Sequence, residues 1–388
     1  MHKDLKSEPK LSNKIIAPSD AYFLAKKRLP KIIFDFIEGA AGDENLSKLN
    51  LKKFQNEKLV PRILLDVNNR DLSTKLFDFH FDVPFGIAPM GMCNVVWPNT
   101  DFYFAEASNY YNLPYCLSTA ASSSIEKIAE KSNGNAWFQL YTSGSKEFIE
   151  ELINRAEKSN YKVLVFTVDV PILSTRYRDV KNGFGMPLNL RPKQIFDFML
   201  HPNWTISTLL NGIPKPMNYV TSETQKTFDR NASRASGDWT FLKNLRDRWK
   251  NKLIVKGVLS IDDAVELYNL GVDGIWISNH GGRQFNSAPT ALDALKIIKK
   301  ELGKKTTLIF DSGVRNGEDI VKALAFGADF VMLGRQFLYS VGADGKYGVS
   351  KMIELLKEET STVMGLSGLT KTDQISDKIL AKYHKFVL

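Results

Sequence analysis

One short run, Ser278-Asn279-His280-Gly281-Gly282-Arg283-Gln284, sets an imidazole three positions from a guanidinium, with two glycines between them. Histidine, with an ordinary pKa of about 6.5, can take up a proton near neutral pH. The arginine fork matches a carboxylate bidentately. The two together would hold one substrate that carries a carboxylate and gives up a proton beside it. Asp169, from a distant part of the chain, could orient the ring of His280 and stabilise its protonated form. Two glycine-containing turns, Asp311-Ser312-Gly313-Val314-Arg315 and Gly334-Arg335, combine backbone N–H groups with guanidinium forks, which suits a phosphate dianion. Lys256 could place a positive charge beside a cofactor that becomes anionic on reduction. A lone histidine is more often structural and a lone lysine solvated, so these residues count only if the fold brings them together.

The elements that would do so are eight short apolar runs. They are Phe85–Ala88, Tyr115–Leu117, Ala136–Leu140, Val163–Val168, Leu253–Val255, Gly274–Ile277, Thr307–Phe310 and Phe330–Leu333. None alternates apolar with polar, as expected of strands buried on both faces. Helical stretches at Ser124–Lys131, Lys146–Ser159, Ile261–Leu270 and Gly317–Phe326 separate several of them, and Gly271 and Gly327 read as helix stops. Eight β/α units predict an α/β fold, a (β/α)8 TIM barrel, whose active site lies at the C-terminal ends of the strands. The candidates all fall there. Pro89, Met90 and Gly91 follow strand one, Ser118 strand two, and Gln139 and Tyr141 strand three. Thr167, Asp169 and Arg176 follow strand four, and Lys256 strand five. Ser278, His280 and Arg283 follow strand six, Asp311, Gly313 and Arg315 strand seven, and Gly334 and Arg335 strand eight.

Two segments stand outside the repeat. Residues 1–84 read as an N-terminal helical extension and lead-in, with Ser19-Asp20 capping a helix from Ala21 and Pro30 opening another that ends near Gly39. The barrel is expected over 85–366 and a tail over 367–388. Inside the barrel, residues 182–243 form a long insert between strands four and five, expected to be functional because structureless loops of that length are rare in compact domains. Its apolar residues Ile195, Phe196, Phe198, Met199, Leu200 and Trp204 are flanked by Arg191, Lys193 and Lys215. Such a segment can lie in a bilayer interface or close over the active site as a lid, and the two are not exclusive.

The 388 residues carry a formal net charge of +9, spread along the chain without a basic stripe interleaved with aromatics, so no nucleic acid partner is expected. No run approaches the roughly 18 apolar residues of a membrane span. The polar N-terminus lacks the apolar core of a secretory signal. Cys93 and Cys116 sit in apolar surroundings and read as core thiols. A cytoplasmic location, possible on the inner face of the membrane, follows as an expectation.

The run Ser278–Gln284 resembles the active-site signature of the FMN-dependent α-hydroxy acid dehydrogenase/oxidase family. Supporting stretches are Ala88-Pro89-Met90-Gly91, Leu117-Ser118-Thr119, Trp137–Tyr141, Thr167-Val168-Asp169 and Asp311–Arg315. The likeness runs from Tyr22 to about Leu366 and is nearest the bacterial L-lactate dehydrogenase and mandelate dehydrogenase branch. It implies that His280 is the base, partnered by Asp169. Arg283, Arg176 and Tyr22 would bind the substrate carboxylate, and Tyr141 the hydroxyl. FMN would be held by Pro89, Met90, Gly91, Ser118, Gln139, Thr167, Lys256 and Ser278. Its phosphate would lie on Gly313, Arg315, Gly334 and Arg335, with Asp311 on the ribityl hydroxyls. No metal is implied.

Three positions depart from the family pattern. Ala120 stands where glycolate oxidases carry tryptophan, which opens the pocket. Gly91 replaces a common alanine, as in mandelate dehydrogenase, and Asn286 replaces a common aspartate. The insert, through Thr175–Asp179, His201-Pro202-Asn203-Trp204 and Leu210-Asn211-Gly212, is similar to the membrane-associated, quinone-linked branch. The resemblance therefore implies oxidation of an L-2-hydroxy acid, L-lactate first, with electrons passed to a quinone or cytochrome and a homo-oligomer, a tetramer in the family. The alternatives are a soluble oxidase that uses O2, a mandelate-type substrate, or a non-catalytic barrel.

Overall fold

The computed structural model describes residues 8–185, 191–225 and 227–381. The expected extension, insert and tail therefore include residues 1–7, 186–190, 226 and 382–388 that lie outside the described residues. Eight parallel strands close into a barrel: Phe85–Ile87, Tyr115–Ser118, Ala136–Leu140, Val163–Thr167, Lys252–Val258, Gly274–Ile277, Thr307–Phe310 and Phe330–Leu333. Strand eight closes on strand one through Val331 opposite Phe85 and Leu333 opposite Ile87. All eight expected strands are present. Strand five is longer than expected, running on through Lys256 to Val258.

The continuous burial of each strand has two sources. One set of side chains, including Cys116, Trp137, Val165, Ile254, Trp276, Ile309 and Met332, fills the barrel interior. The alternate set, including Phe138, Leu164, Phe166, Val255 and Phe310, packs outward on the helices. A hairpin, Thr74–Leu76 with Phe79–Phe81, puts Leu76 and Phe81 into the interior cluster. With both faces dry, each strand excludes water from its ladder, at roughly 1.5–3 kcal/mol per large apolar side chain buried.

The helices between strands begin on short polar caps. Ser124, Ser145, Ser260, Thr290 and Asn316 each accept a hydrogen bond from a backbone N–H in the first turn. Gly271 ends its helix in the left-handed region, at φ +80°. Before the barrel, helices span Asp20–Arg28, Lys31–Glu38 and Asn45–Asn56. Ser19 does not cap the first of these; the Asp20 carboxylate instead accepts from the N–H groups of Ile16 and Ala17 and ties down the incoming chain. After strand eight, Arg335–Leu366 is helical with a kink at Asp344 and Gly345.

The insert is helical at Pro192–Leu200 and Pro202–Asn211, with a short turn of helix at Met217–Val220. It is pinned over the strand ends. Trp204 is 3% exposed, and its indole N–H is shared between the carbonyls of Val95 and Val96. The Asn218 side chain accepts from Ile125 N–H, and Met217 N–H donates to the carbonyl of Ala121. Trp204 is thus an anchor to the barrel and not part of an outward apolar face, with Phe198 half-buried against it at 5.0 Å between ring centroids. Ile195, Phe196, Met199 and Leu200 are exposed as expected, and Ile206, Leu209, Leu210 and Ile213 join them.

Candidate active site

The loop after strand six is held rigid by polar contacts on both sides. The Ser312 hydroxyl accepts from Asn279 N–H and Gly281 N–H. Asn279 exchanges two 2.9 Å hydrogen bonds with Asn50, on the helix before the barrel. Gly282 has φ +77°, and a Cβ there would stand 2.6 Å from the backbone nitrogen of Ser47. The close approach needs glycine in both respects. His280 itself lies in the left-handed region at φ +57°.

This backbone aims the imidazole at Asp169, with Nδ1 3.0 and 3.2 Å from the two carboxylate oxygens. Burial pushes the imidazole below its ordinary 6.5, and the cations Lys256 and Arg176 push the same way; the Asp169 carboxylate opposes them without cancelling them. Burial pushes the Asp169 carboxyl up, but His280 and Lys256 outweigh it and hold it below its ordinary range. The resting pair is a neutral imidazole on an ionised carboxylate, the form that takes up a proton.

Lys256 is 3% exposed. Its ammonium lies 2.9 Å from the Ser278 hydroxyl and 3.4 Å from Asp311. Burial pulls it down, but Asp311 and Asp169 hold it above its ordinary value, so it remains charged. It is aimed by an irregularity in strand five, where the register against strand six shifts between Lys256 and Val258. Gly257, between them, has φ +106°, and a Cβ there would meet the Asp169 Cβ at 2.5 Å. Such bulges commonly re-aim a side chain beside an active site.

Of the residues expected to converge, Pro89, Met90, Gly91, Ser118, Tyr141, Arg176, Lys256, His280, Arg283, Asp311, Gly313, Arg315, Gly334 and Arg335 line one cavity at the strand ends. Asp169, Gln139 and Ser278 stand behind it, hydrogen-bonded to His280, Ser118 and Lys256 respectively. Thr167 pairs with Lys256 in the strand ladder. Tyr22 is not brought to the cavity wall. Its ring packs edge-on against Phe23, Phe34 and Tyr339, and Phe36, from the next helix, lines the cavity in its stead. Ala120 lines it too, and a Cβ at Gly91 would meet the Ala120 Cβ at 3.3 Å, so two small residues leave room there.

The arginines differ in what they have left to give. Arg335 donates to the carbonyls of Ile37, Glu38, Gly39 and Gly281, which uses four of its five N–H groups. Arg283 donates three bonds, to Phe36, Ile37 and Gly39. Both guanidinium groups thus sit at the C-terminal end of helix Lys31–Glu38, where cations are favoured. Arg315 donates one side-chain bond, to Val314. Of the expected phosphate pair, Arg335 is largely committed to the protein and Arg315 retains most of its fork. Burial brings Arg176 down to about 10, still cationic at neutral pH, and pushes Tyr141 up to about 12.

The sequence reading missed Phe36, Phe184, Phe228, Arg230 and Arg234, all of which line the cavity. Four come from the insert, where the single available signal was the pair of arginines four apart in a polar stretch. Two buried side-chain atoms beside the cavity-lining residues, Gln139 Nε2 and Thr167 Oγ1, have no hydrogen-bond partner among the described residues. Buried polar groups are normally paired. These orphans, with Lys256, fit the polar edge of a flat heteroaromatic group.

Comparison with known proteins agrees with this geometry. A family model described as FMN-dependent dehydrogenase matches residues 25–382. The chain is 36% identical to the (S)-mandelate dehydrogenase of Pseudomonas putida over 95% of each chain. It is 35% identical to an L-lactate dehydrogenase of Pseudomonas syringae, covering 95% of this chain and 99% of that one. A crystal structure of the monotopic membrane protein (S)-mandelate dehydrogenase superposes with a TM-score of 0.89 at 35% identity, covering 95% of this chain and 99% of that one. The chain belongs to the FMN-dependent dehydrogenase family, and FMN is its cofactor.

Proposed function

We propose that the protein oxidises an L-2-hydroxy acid to the 2-oxo acid and passes the electrons to a membrane quinone or cytochrome. The observation that carries this is the half-buried, neutral His280 on ionised Asp169, in a cavity that also holds Lys256, Arg176 and Arg283. Arg176 and the uncommitted edge of Arg283 grip the substrate carboxylate, and Tyr141 meets the hydroxyl. His280 takes one of the two protons lost from the substrate, and Asp169 stabilises the imidazolium that results. FMN, when bound, would supply the two-electron oxidant and take up the electron pair with the second proton. Lys256, with Ser278, Gln139, Thr167 and Ser118, would hold its ring system against Pro89, Met90 and Gly91. Asp311 would hold the ribityl chain. Gly313, Arg315 and Gly334 would hold the phosphate, with Arg335 bracing that site from behind. L-Lactate is the reference substrate, and relatives named for lactate and for mandelate both support the 2-hydroxy acid class. The test is anaerobic: purified protein is expected to show flavin absorbance with one FMN per chain, bleached by an L-2-hydroxy acid and not by its D enantiomer. A chain that cannot be reconstituted with FMN refutes the reading.

The membrane side of the proposal rests on the insert. Nine large apolar side chains among its described residues stand exposed, with Leu209 71% and Leu210 81% exposed, beside exposed Arg191, Lys193 and Lys215. No helix among the described residues is long and apolar enough to cross a bilayer. A short amphipathic pair of helices with basic flanks suits a bilayer interface. Phe184, Phe228, Arg230 and Arg234, which flank these helices in the same insert, line the cavity, so one segment contributes to the site and to the exposed apolar face. The monotopic membrane relative supports this reading.

A further inference from the structure

Four guanidinium groups line the cavity away from the expected phosphate end: Arg176, Arg230, Arg234 and Arg283. They have one protein carboxylate among them. Asp179 lies 2.8 Å from Arg230 and 3.8 Å from Arg176. Arg234 and Arg283 form no ion pair among the described residues. The single carboxylate of a simple 2-hydroxy acid leaves this group of side chains with positive charge to spare.

Arg234 is the least accounted for. It is 9% exposed. Its backbone is fixed on the loops after strands three and four, with its N–H donating to the Pro171 carbonyl and its own carbonyl accepting from the Thr142 hydroxyl. The guanidinium carbon lies 4.9 Å from the centre of the Tyr141 ring, beside the group assigned to the substrate hydroxyl. Nη1 and Nη2 donate to the carbonyls of Ala232 and Arg230, while Nε is buried with no partner among the described residues. With Nη1 and Nη2 each donating once, each keeps a second N–H, and a charge-assisted bond to an anion in the cavity satisfies these best. In the same cavity, small Ala120 and Gly91 leave space for a substrate side chain.

We propose that the preferred substrates are L-2-hydroxy acids that carry a second anionic group on a short side chain, of the 2-hydroxydicarboxylate class, and that Arg234 binds that second group. This rests on the 2-hydroxy acid reading above and narrows it. Arg230, already paired with Asp179, adds to the field but is not the primary contact. A 2-hydroxy acid with an apolar side chain would leave Arg234 desolvated and unpaired, which is how a buried polar site discriminates against a substrate lacking the matching group.

The experiment compares kcat/KM for L-malate and L-2-hydroxyglutarate with kcat/KM for L-lactate and L-mandelate, in the FMN-loaded enzyme and in Arg234→Met and Arg234→Lys. The ratio of dicarboxylate to monocarboxylate is the readout, since a merely structural loss lowers both alike. The native ratio is expected to exceed tenfold for the better dicarboxylate, to fall by about 100-fold in Arg234→Met, and to be partly restored in Arg234→Lys. A native enzyme that prefers L-lactate or L-mandelate overturns the inference and leaves the 2-hydroxy acid reading intact. So does a ratio that Arg234→Met does not change. Failure of all four acids to bleach the flavin refutes the parent reading instead.

Discussion

At the scale of single residues, the site is governed by which charges burial permits. His280 is held neutral because desolvation and two cations together outweigh the single carboxylate of Asp169. Its proton-accepting form is therefore lost only as pH falls through a value below 6.5. The pH profile of kcat/KM should have its acid limb below that value and be flat at neutrality. Asp169→Asn removes the one group that raises His280, so it should move the limb further toward acid while slowing flavin reduction. An acid limb above pH 7 in the native enzyme would contradict the assignment. Arg283→Lys should raise KM for L-lactate and slow reduction by at least tenfold, because an ammonium cannot span two carboxylate oxygens as the fork does. Unchanged kinetics would remove Arg283 from the carboxylate site. Most of these residues were legible in the sequence because each follows a strand directly, where the chain has no freedom to point elsewhere. Tyr22 was not, since it lies on a helix whose facing is set by packing against Phe34 and Tyr339, and Phe36 takes the cavity wall instead.

At the scale of elements, the barrel was readable because strands buried on both faces leave continuous apolar runs and the helices between them carry their own caps. The insert was only half readable. Its composition announced an apolar surface, but which side chains turn inward depends on contacts distant in sequence; the carbonyls of Val95 and Val96, about a hundred residues earlier, draw Trp204 in. That division makes two sets of substitutions behave differently. Replacing Phe196, Leu200, Leu209 and Leu210 by serine should release the protein from anionic vesicles in a flotation assay and leave the thermal unfolding midpoint nearly unchanged, since all four are exposed. Trp204→Ala should destabilise the fold by about 3–5 kcal/mol, as for other buried aromatic truncations, and lower that midpoint. Equal midpoint losses for both would mean that the exposed face packs against the barrel after all.

At the scale of the whole molecule, the formal charge of +9 and the apolar patch act together on any anionic surface. Electrostatic attraction is screened within a Debye length of about 8 Å at physiological salt, whereas apolar insertion is not. Vesicle binding should therefore weaken as salt rises without vanishing, and should need anionic lipid to be strong. Binding that is indifferent to both salt and lipid charge would argue against the peripheral mode. The insert that carries this surface also supplies Phe184, Phe228, Arg230 and Arg234 to the cavity wall. All of this depends on the proposed role of His280 as the base. The most direct test is anaerobic stopped-flow reduction of the flavin by an L-2-hydroxy acid in the native enzyme and in His280→Gln. The native protein should bleach and the variant should retain FMN but reduce it at least about 10²-fold more slowly, the size of a lost general base. A variant that binds FMN and reduces it within about tenfold of the native rate would show that His280 is not the base.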